Sequence, residues 1–138
     1  MFKISTKGDY GLLLLSAIAE KMQEGRAFVS LSEIAKERKL SLPYLSQIIL
    51  PLKEAGLVKS KEGRDGGYCL AKAPREISLM QILEALEGPV ASVRCCSDKG
   101  AECGSKSCCN VKSTWQEANN MLVTFLGSKT LQDTLTHH

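Results

Sequence analysis

The chain has 138 residues, enough for one domain with a real hydrophobic core, so its six cysteines are not needed as staples. Its longest apolar run, GLLLLSAIA at residues 11 to 19, falls far short of a membrane span and no small-residue cleavage site follows it; a cytoplasmic protein with no membrane partner is expected. The net charge of +3 is unevenly spread: residues 1 to 75 hold 13 Lys or Arg against 8 Asp or Glu, the remainder 5 against 7, which makes the first half the candidate for a polyanionic partner.

From Ser5 to Gln23, apolar residues recur at helical spacing (Tyr10, Leu13, Leu14, Ala17, Ile18, Met22), and Gly25 is a natural stop. This first helix should be largely core. A shorter helix is expected from Ser30 or Ser32 to about Arg38. Ser41 then reads as the N-cap of a third helix, LPYLSQIILPLKEA, that ends at Gly56 and should bend at Pro51. Helix, tight turn, helix is the outline of a DNA-binding helix-turn-helix, although any all-helical protein can contain such a pair.

The next segment, LVKSKEGRDGGYCLAK, reads as two short strands, Leu57 to Lys61 and Gly67 to Ala71, around a glycine-rich turn. Two strands behind a helix-turn-helix make a winged helix. Lys59, Lys61 and Arg64 on this wing suit phosphate contacts or minor-groove insertion. Cys69, on the second strand, is expected as a small buried side chain. Ser41, Tyr44, Ser46 and Gln47 lie near the start of the third helix, the end that enters a major groove. Gln47 can pair with adenine, whereas Ser41 and Tyr44 suit phosphates.

Beyond Pro74, Ser78 and Gln81 form a capping box for a scaffold helix closed by Gly88. A cysteine-rich stretch follows, RCCSDKGAECGSKSCCNVK, residues 94 to 112. Clustered thiols in a reducing compartment indicate metal or redox chemistry. A long helix from about Cys109 to Leu126 then places Val111, Trp115, Ala118, Met121, Leu122, Phe125 and Leu126 on one stripe, which must pack on its own domain or dimerise; a homodimer is expected. Thr130 with Asp133 caps a final turn.

Taken together, KISTKGDYGLLLL, LSLPYLSQIILPLKEAGLVKS, the wing GRDGGYCL, ISLMQILEALEGPV and the spaced cysteines before a Trp-containing helix resemble bacterial winged-helix transcription regulators of the IscR, NsrR and RirA type, many of which bind an iron-sulfur cluster. The resemblance covers nearly the whole chain. It implies a fold that is mainly α with a small β-wing, a winged helix-turn-helix over residues 1 to 75, and a connecting helix, cysteine loop and long C-terminal dimerisation helix over 76 to 138. It further implies a non-enzymatic, homodimeric regulator, acting as a repressor on double-stranded promoter or operator DNA.

In the resembled family three loop cysteines hold the cluster, 2Fe-2S or 4Fe-4S, in a C-x5-to-7-C-x5-C frame. Cys103 and Cys109 fit the second half; Cys95 and Cys96 both fit the first position, and Cys108 adjoins the last. IscR-like members place a His three residues after the last cysteine, where this chain has Lys112, which cannot ligate. NsrR-like members are similar instead at Asp9, a ligand from the partner subunit; without the resemblance Asp9 is an acid favoured by the helix dipole. Glu62 also stands where IscR-like members often carry a wing Arg, with Arg64 after the glycine. Zinc, a bare thiol switch, a cluster-free regulator controlled by a partner protein and a small zinc or electron-transfer protein are the competing readings. No nucleophile and base pair, phosphate loop or carboxylate dyad points to an enzyme.

Overall fold

The computed structural model describes residues 6–88 and 108–136, with the side chains of residues 108–110 and 136 outside that description. Among the described residues, six helices and one two-stranded antiparallel sheet follow in the order α1 (Thr6–Gln23), α2 (Leu31–Arg38), α3 (Leu42–Glu54), β1 (Val58–Lys61), β2 (Gly67–Leu70), α4 (Leu79–Glu87), α5 (Cys108–Ser128) and α6 (Leu131–Thr136), with a 3-10 turn at Pro74–Glu76 before α4. This is the expected mainly α fold with a small wing.

Helix α1 is the axis of the molecule. Its buried face is Gly8, Gly11, Leu14, Leu15, Ala17, Ile18 and Ala19. The face departs from the expected stripe at Leu13, which is 41% exposed, while Leu15 takes its place in the core. In a run of four leucines the 3.6-residue period cannot choose the buried pair; the partner helix does. That partner is α4, and a Cβ at Gly11 would strike the Leu86 side chain, so the glycine sets how closely the two helices approach.

The helix-turn-helix forms by local capping. The Ser30 hydroxyl accepts from the Glu33 amide at 3.2 Å, which makes Ser30 rather than Ser32 the N-cap of α2. Lys39 closes α2 in a left-handed conformation (φ 56°), and the Leu40 amide donates to the Ala35 carbonyl at 2.9 Å. Ser41 then caps α3, accepting from the Tyr44 amide at 3.3 Å. Residues 39–41 are therefore the whole turn. Helix α3 runs through Pro51 to Glu54 and buries Leu45, Ile48, Ile49 and Leu52.

In the wing, Val58 pairs with Leu70, Lys59 with Cys69, Ser60 with Tyr68 and Lys61 with Gly67. The far edge of β2 is also occupied: the Val29 amide donates to the Tyr68 carbonyl at 2.9 Å, and the Tyr68 amide to the Val29 carbonyl at 2.8 Å. This bridge ties the wing to the segment entering α2. It explains Gly67, whose φ of 141° and proximity to the Val29 backbone leave no room for a Cβ.

The C-terminal end returns to this core. After α5 the chain pairs with the entry to α4, the Leu79 amide donating to the Lys129 carbonyl and the Leu131 amide to the Ile77 carbonyl, each at 2.9 Å. Asp133 accepts from the Thr130 amide at 2.9 Å, as the expected cap requires, and Ser78 with Gln81 forms the expected capping box. Leu131 and Leu135 of α6 thereby join Leu14, Leu45, Ile48 and Ile82 in one continuous core.

Candidate nucleic-acid interface

Helix α3 presents Leu42, Pro43, Ser46, Gln47 and Leu50 to solvent. Of the residues expected to read DNA, Ser41 is exposed, with its oxygen engaged in the α3 cap, and the Ser46 hydroxyl donates to the Leu42 carbonyl at 3.0 Å. Gln47 is exposed. Tyr44 is half-buried and turns toward α1, where its ring meets Tyr10 edge-on, centroids 4.9 Å apart and planes at 88°. Leu42 and Leu50, 38% and 57% exposed, were not distinguished by sequence. The signal was available: with Leu45, Ile48, Ile49 and Leu52 inward, the 100° step places Leu50 outside.

On the wing, Lys59 and Lys61 lie on one face of β1, with Lys61 Nζ 5.5 Å from the Phe28 ring centroid, and Arg64 is exposed in the turn beside Glu62 and Asp65. Cys69 is half-buried, not buried as expected, because it pairs with Lys59 and so shares the face of the wing on which that lysine is exposed.

Several cations of the first half are locally neutralised. Lys21 pairs with Glu37 at 2.9 Å, Arg26 grips both oxygens of Glu33 at 2.9 Å, and Arg38 pairs with Glu20. The hydrogen bonds from Arg26 hold the Glu33 carboxyl below its ordinary value, and Glu37 raises Lys21. Other exposed cations include Lys39 in the turn, Lys53 at the end of α3, and Lys59, Lys61 and Arg64 on the wing. Positive charge thus frames an α3 surface that itself carries no charge from Ser41 to Leu52.

Asp9 is exposed in the first turn of α1, on the rim of an apolar groove lined by Gly8, Leu12, Leu79, Ile82, Leu83 and Leu126. Cys95, Cys96 and Cys103 lie outside the described residues, and of Cys109 only the backbone, in the first turn of α5, is described. Among the described residues no three His, Cys, Asp or Glu gather as a metal site. Along α5, Val111, Trp115, Met121 and Phe125 are 54%, 48%, 68% and 53% exposed, while Leu126 packs inward. The stripe expected on this helix is therefore largely uncovered within the chain.

A capped helix-turn-helix followed by an antiparallel wing defines a winged-helix DNA-binding protein. Residues 4–137 match the family model of Rrf2, described as iron-dependent transcriptional regulators, and the chain belongs to that family. It is 38% identical over 131 residues to the HTH-type transcriptional regulator CymR of Bacillus subtilis, covering 95% of this chain and 88% of that protein. It is 34% identical over 132 residues to the HTH-type transcriptional regulator IscR of Cereibacter sphaeroides, covering 95% and 85%. Among solved structures it is similar to CymR, the global cysteine regulator of B. subtilis, with a TM-score of 0.84, 36% identity and coverage of 100% and 99%. It is also similar to T. potens IscR, with a TM-score of 0.76, 38% identity and coverage of 97% and 86%. These relatives are transcriptional regulators, not enzymes, and no helix among the described residues is long and apolar enough to cross a membrane.

Proposed function

We propose that this DNA-binding regulator acts as a homodimeric repressor whose operator affinity is set by an iron-sulfur cluster on Cys95 or Cys96, Cys103 and Cys109, with Asp9 as the fourth ligand. Residues 1 to 75 read the operator, and 76 to 138 sense and dimerise. Thiolates are the ligands iron-sulfur clusters take, and the cluster supplies a redox- and nitric-oxide-sensitive group whose loss changes its surroundings.

The assignment of Asp9 rests on the resemblance to NsrR-like members, and its position relative to Cys109 decides which subunit it would serve. Asp9 shares a groove with Leu126, which lies seventeen residues along α5 from Cys109, about 26 Å at 1.5 Å per residue. Ligands of one cluster gather within a few ångströms. Asp9 therefore fits the set only when it comes from a second subunit, which agrees with the uncovered aromatic stripe on α5. A carboxylate ligand from across the dimer joins cluster state to the position of α1. Tyr10, next in sequence, rests on Tyr44 in the first turn of α3, so a shift of α1 reaches the reading helix through this ring contact as well as through the core the two helices share.

The test is anaerobic purification and reconstitution, followed by operator binding by holo and apo forms. A brown, iron-containing dimer whose two forms bind the protein's own promoter with different affinity is the expected result. A colourless, iron-free protein under those conditions sinks the cluster; equal binding sinks the switch and keeps the DNA role. Asp9→Ala is expected to shorten cluster lifetime, and an unchanged spectrum and lifetime count against Asp9.

The likeness to CymR, the global cysteine regulator of B. subtilis, favours one second reading: a cluster-free regulator of the same fold controlled by a partner protein. It predicts no iron under any preparation, with DNA binding that changes only when the partner is added.

A further inference from the structure

The exposed face of α3 has a composition that constrains what it can read. Pro43, Ser46, Gln47 and Leu50 stand at i, i+3, i+4 and i+7, and all four are exposed, so they form one face over two turns of helix. The same spacing supplies the four base-reading positions of the homeodomain helix, where the third is an Asn paired with adenine. Gln47 holds that third position here. The fourth is Leu50, 57% exposed, more so than Leu13 or Leu42, which are 41% and 38% exposed.

Guanine is read in the major groove by the paired donors of Arg or Lys, and cytosine N4 by the carboxylate of Asp or Glu. Adenine is read by Asn or Gln, the thymine 5-methyl group by apolar contact, and a Ser or Thr hydroxyl fits either pair without choosing between them; the Ser46 hydroxyl donates to the Leu42 carbonyl. From Ser41 to Leu52 the helix offers neither a cation nor a carboxylate. We infer that α3 reads A·T base pairs, with Leu50 as a specificity-determining residue that packs on a thymine 5-methyl group beside an adenine held by Gln47. The face from Pro43 to Leu50 is about 10 Å long, the length of roughly three base-pair steps.

DNA rather than a protein is the occupant because of the surroundings. Leu50 stands among Ser46 and Gln47, both hydrogen-bonding side chains, and exposed Lys39 and Lys53 lie at the two ends of the helix, with Lys59 and Lys61 on the following strand. That charge complements phosphate. The inference rests on α3 being the reading helix and adds which bases it selects.

The experiment separates those two claims. The full-length protein is used to select binding sites from randomised duplex DNA, and each thymine of the recovered half-site is then replaced singly by uracil, which removes only the 5-methyl group. The wild-type protein should lose about 3- to 10-fold in affinity at one thymine, close to an A·T pair, and Leu50→Ala should bind the thymine and uracil duplexes equally. Because Leu50 is exposed, Leu50→Ala should fold normally, checked by its melting curve. Tolerance of uracil at every position by the wild-type protein, or an equal loss in both proteins, overturns the Leu50 assignment. If Leu50→Ala leaves affinity and selected sequence unchanged, the inference is overturned and the face is left to a protein partner. Recovery of no preferred sequence by the wild-type protein overturns the reading of α3 itself.

Discussion

Helices α3 and α5 both leave large apolar side chains in water, yet they do so in different company. On α3 the exposed leucines are interspersed with Ser46 and Gln47, and the opposite face is fixed by four fully buried side chains, Leu45, Ile48, Ile49 and Leu52. On α5 the exposed residues are larger and more aromatic, Trp115, Met121 and Phe125 among them, and Leu126 is its one buried hydrophobic side chain among the described residues. The comparison teaches that an exposed apolar residue is not one kind of signal. Single leucines among hydrogen-bonding groups suit base edges, whereas a wide stripe with Trp, Met and Phe has the composition of a protein interface core.

The two faces of α3 give the strongest test of the contrast. Leu45→Ala should lower unfolding free energy by about 2–5 kcal/mol, measured by denaturant titration, because it opens a cavity under the helix. Leu50→Ala should change it by less than about 0.5 kcal/mol. Comparable losses would erase the distinction between core and reading face.

On α5 the expected loss is in assembly. The double substitution Trp115→Asp and Phe125→Asp alters two exposed positions, so the fold should persist while light scattering reports a monomer. Operator affinity should then fall by about 100-fold, as the two half-sites cease to be bound by linked modules. A variant that stays dimeric would assign the stripe to something other than self-association.

The link between the sensing and reading sides is smaller in energy. Tyr10→Leu removes the edge-on ring contact with Tyr44 and should cost about 0.5–1.5 kcal/mol in stability. Its informative readout is the ratio of holo to apo operator affinity, which should move toward one. An unchanged ratio would route the signal elsewhere.

The least effect is expected at Glu33, on neither helix. Its carboxyl is held below the ordinary value chiefly by hydrogen bonds from Arg26, so its stabilisation is present above the ordinary carboxylate value and is lost as pH falls through the lowered one. Glu33→Gln should therefore melt slightly lower than the wild-type protein at neutral pH, with the difference closing in acid. A gap that widens as pH falls would reverse the sign.

Local chemistry determined much of this molecule in advance. Ser41 before a periodic run, the Ser78 and Gln81 capping box, and the glycines of the wing turn each act within a few residues, and each element they imply is present to within a residue or two. The wing cations and Gln47 are exposed, as DNA contact requires, and their contacts with DNA stay a proposal. The thiol cluster was legible as metal or redox chemistry, whereas its ligand frame comes from the family resemblance and stays a proposal, with Cys95, Cys96 and Cys103 outside the described residues.

Tertiary contact decided the rest. Whether Leu13 or Leu15 entered the core depended on where α4 packed, since a continuous leucine run satisfies the helical period in either way. The Val29 bridge to Tyr68, the pairing of the Lys129–Leu131 segment with Ile77–Leu79, and the meeting of Tyr10 with Tyr44 join residues more than thirty apart in sequence. No local propensity encodes such pairings: their loop-closure entropy is offset only when the whole core assembles. The sequence by itself thus determined a winged-helix DNA-binding fold and the side chains its third helix carries, and the packing of α1 against α3 and α4 decided which leucines face solvent and how the first helix touches the third.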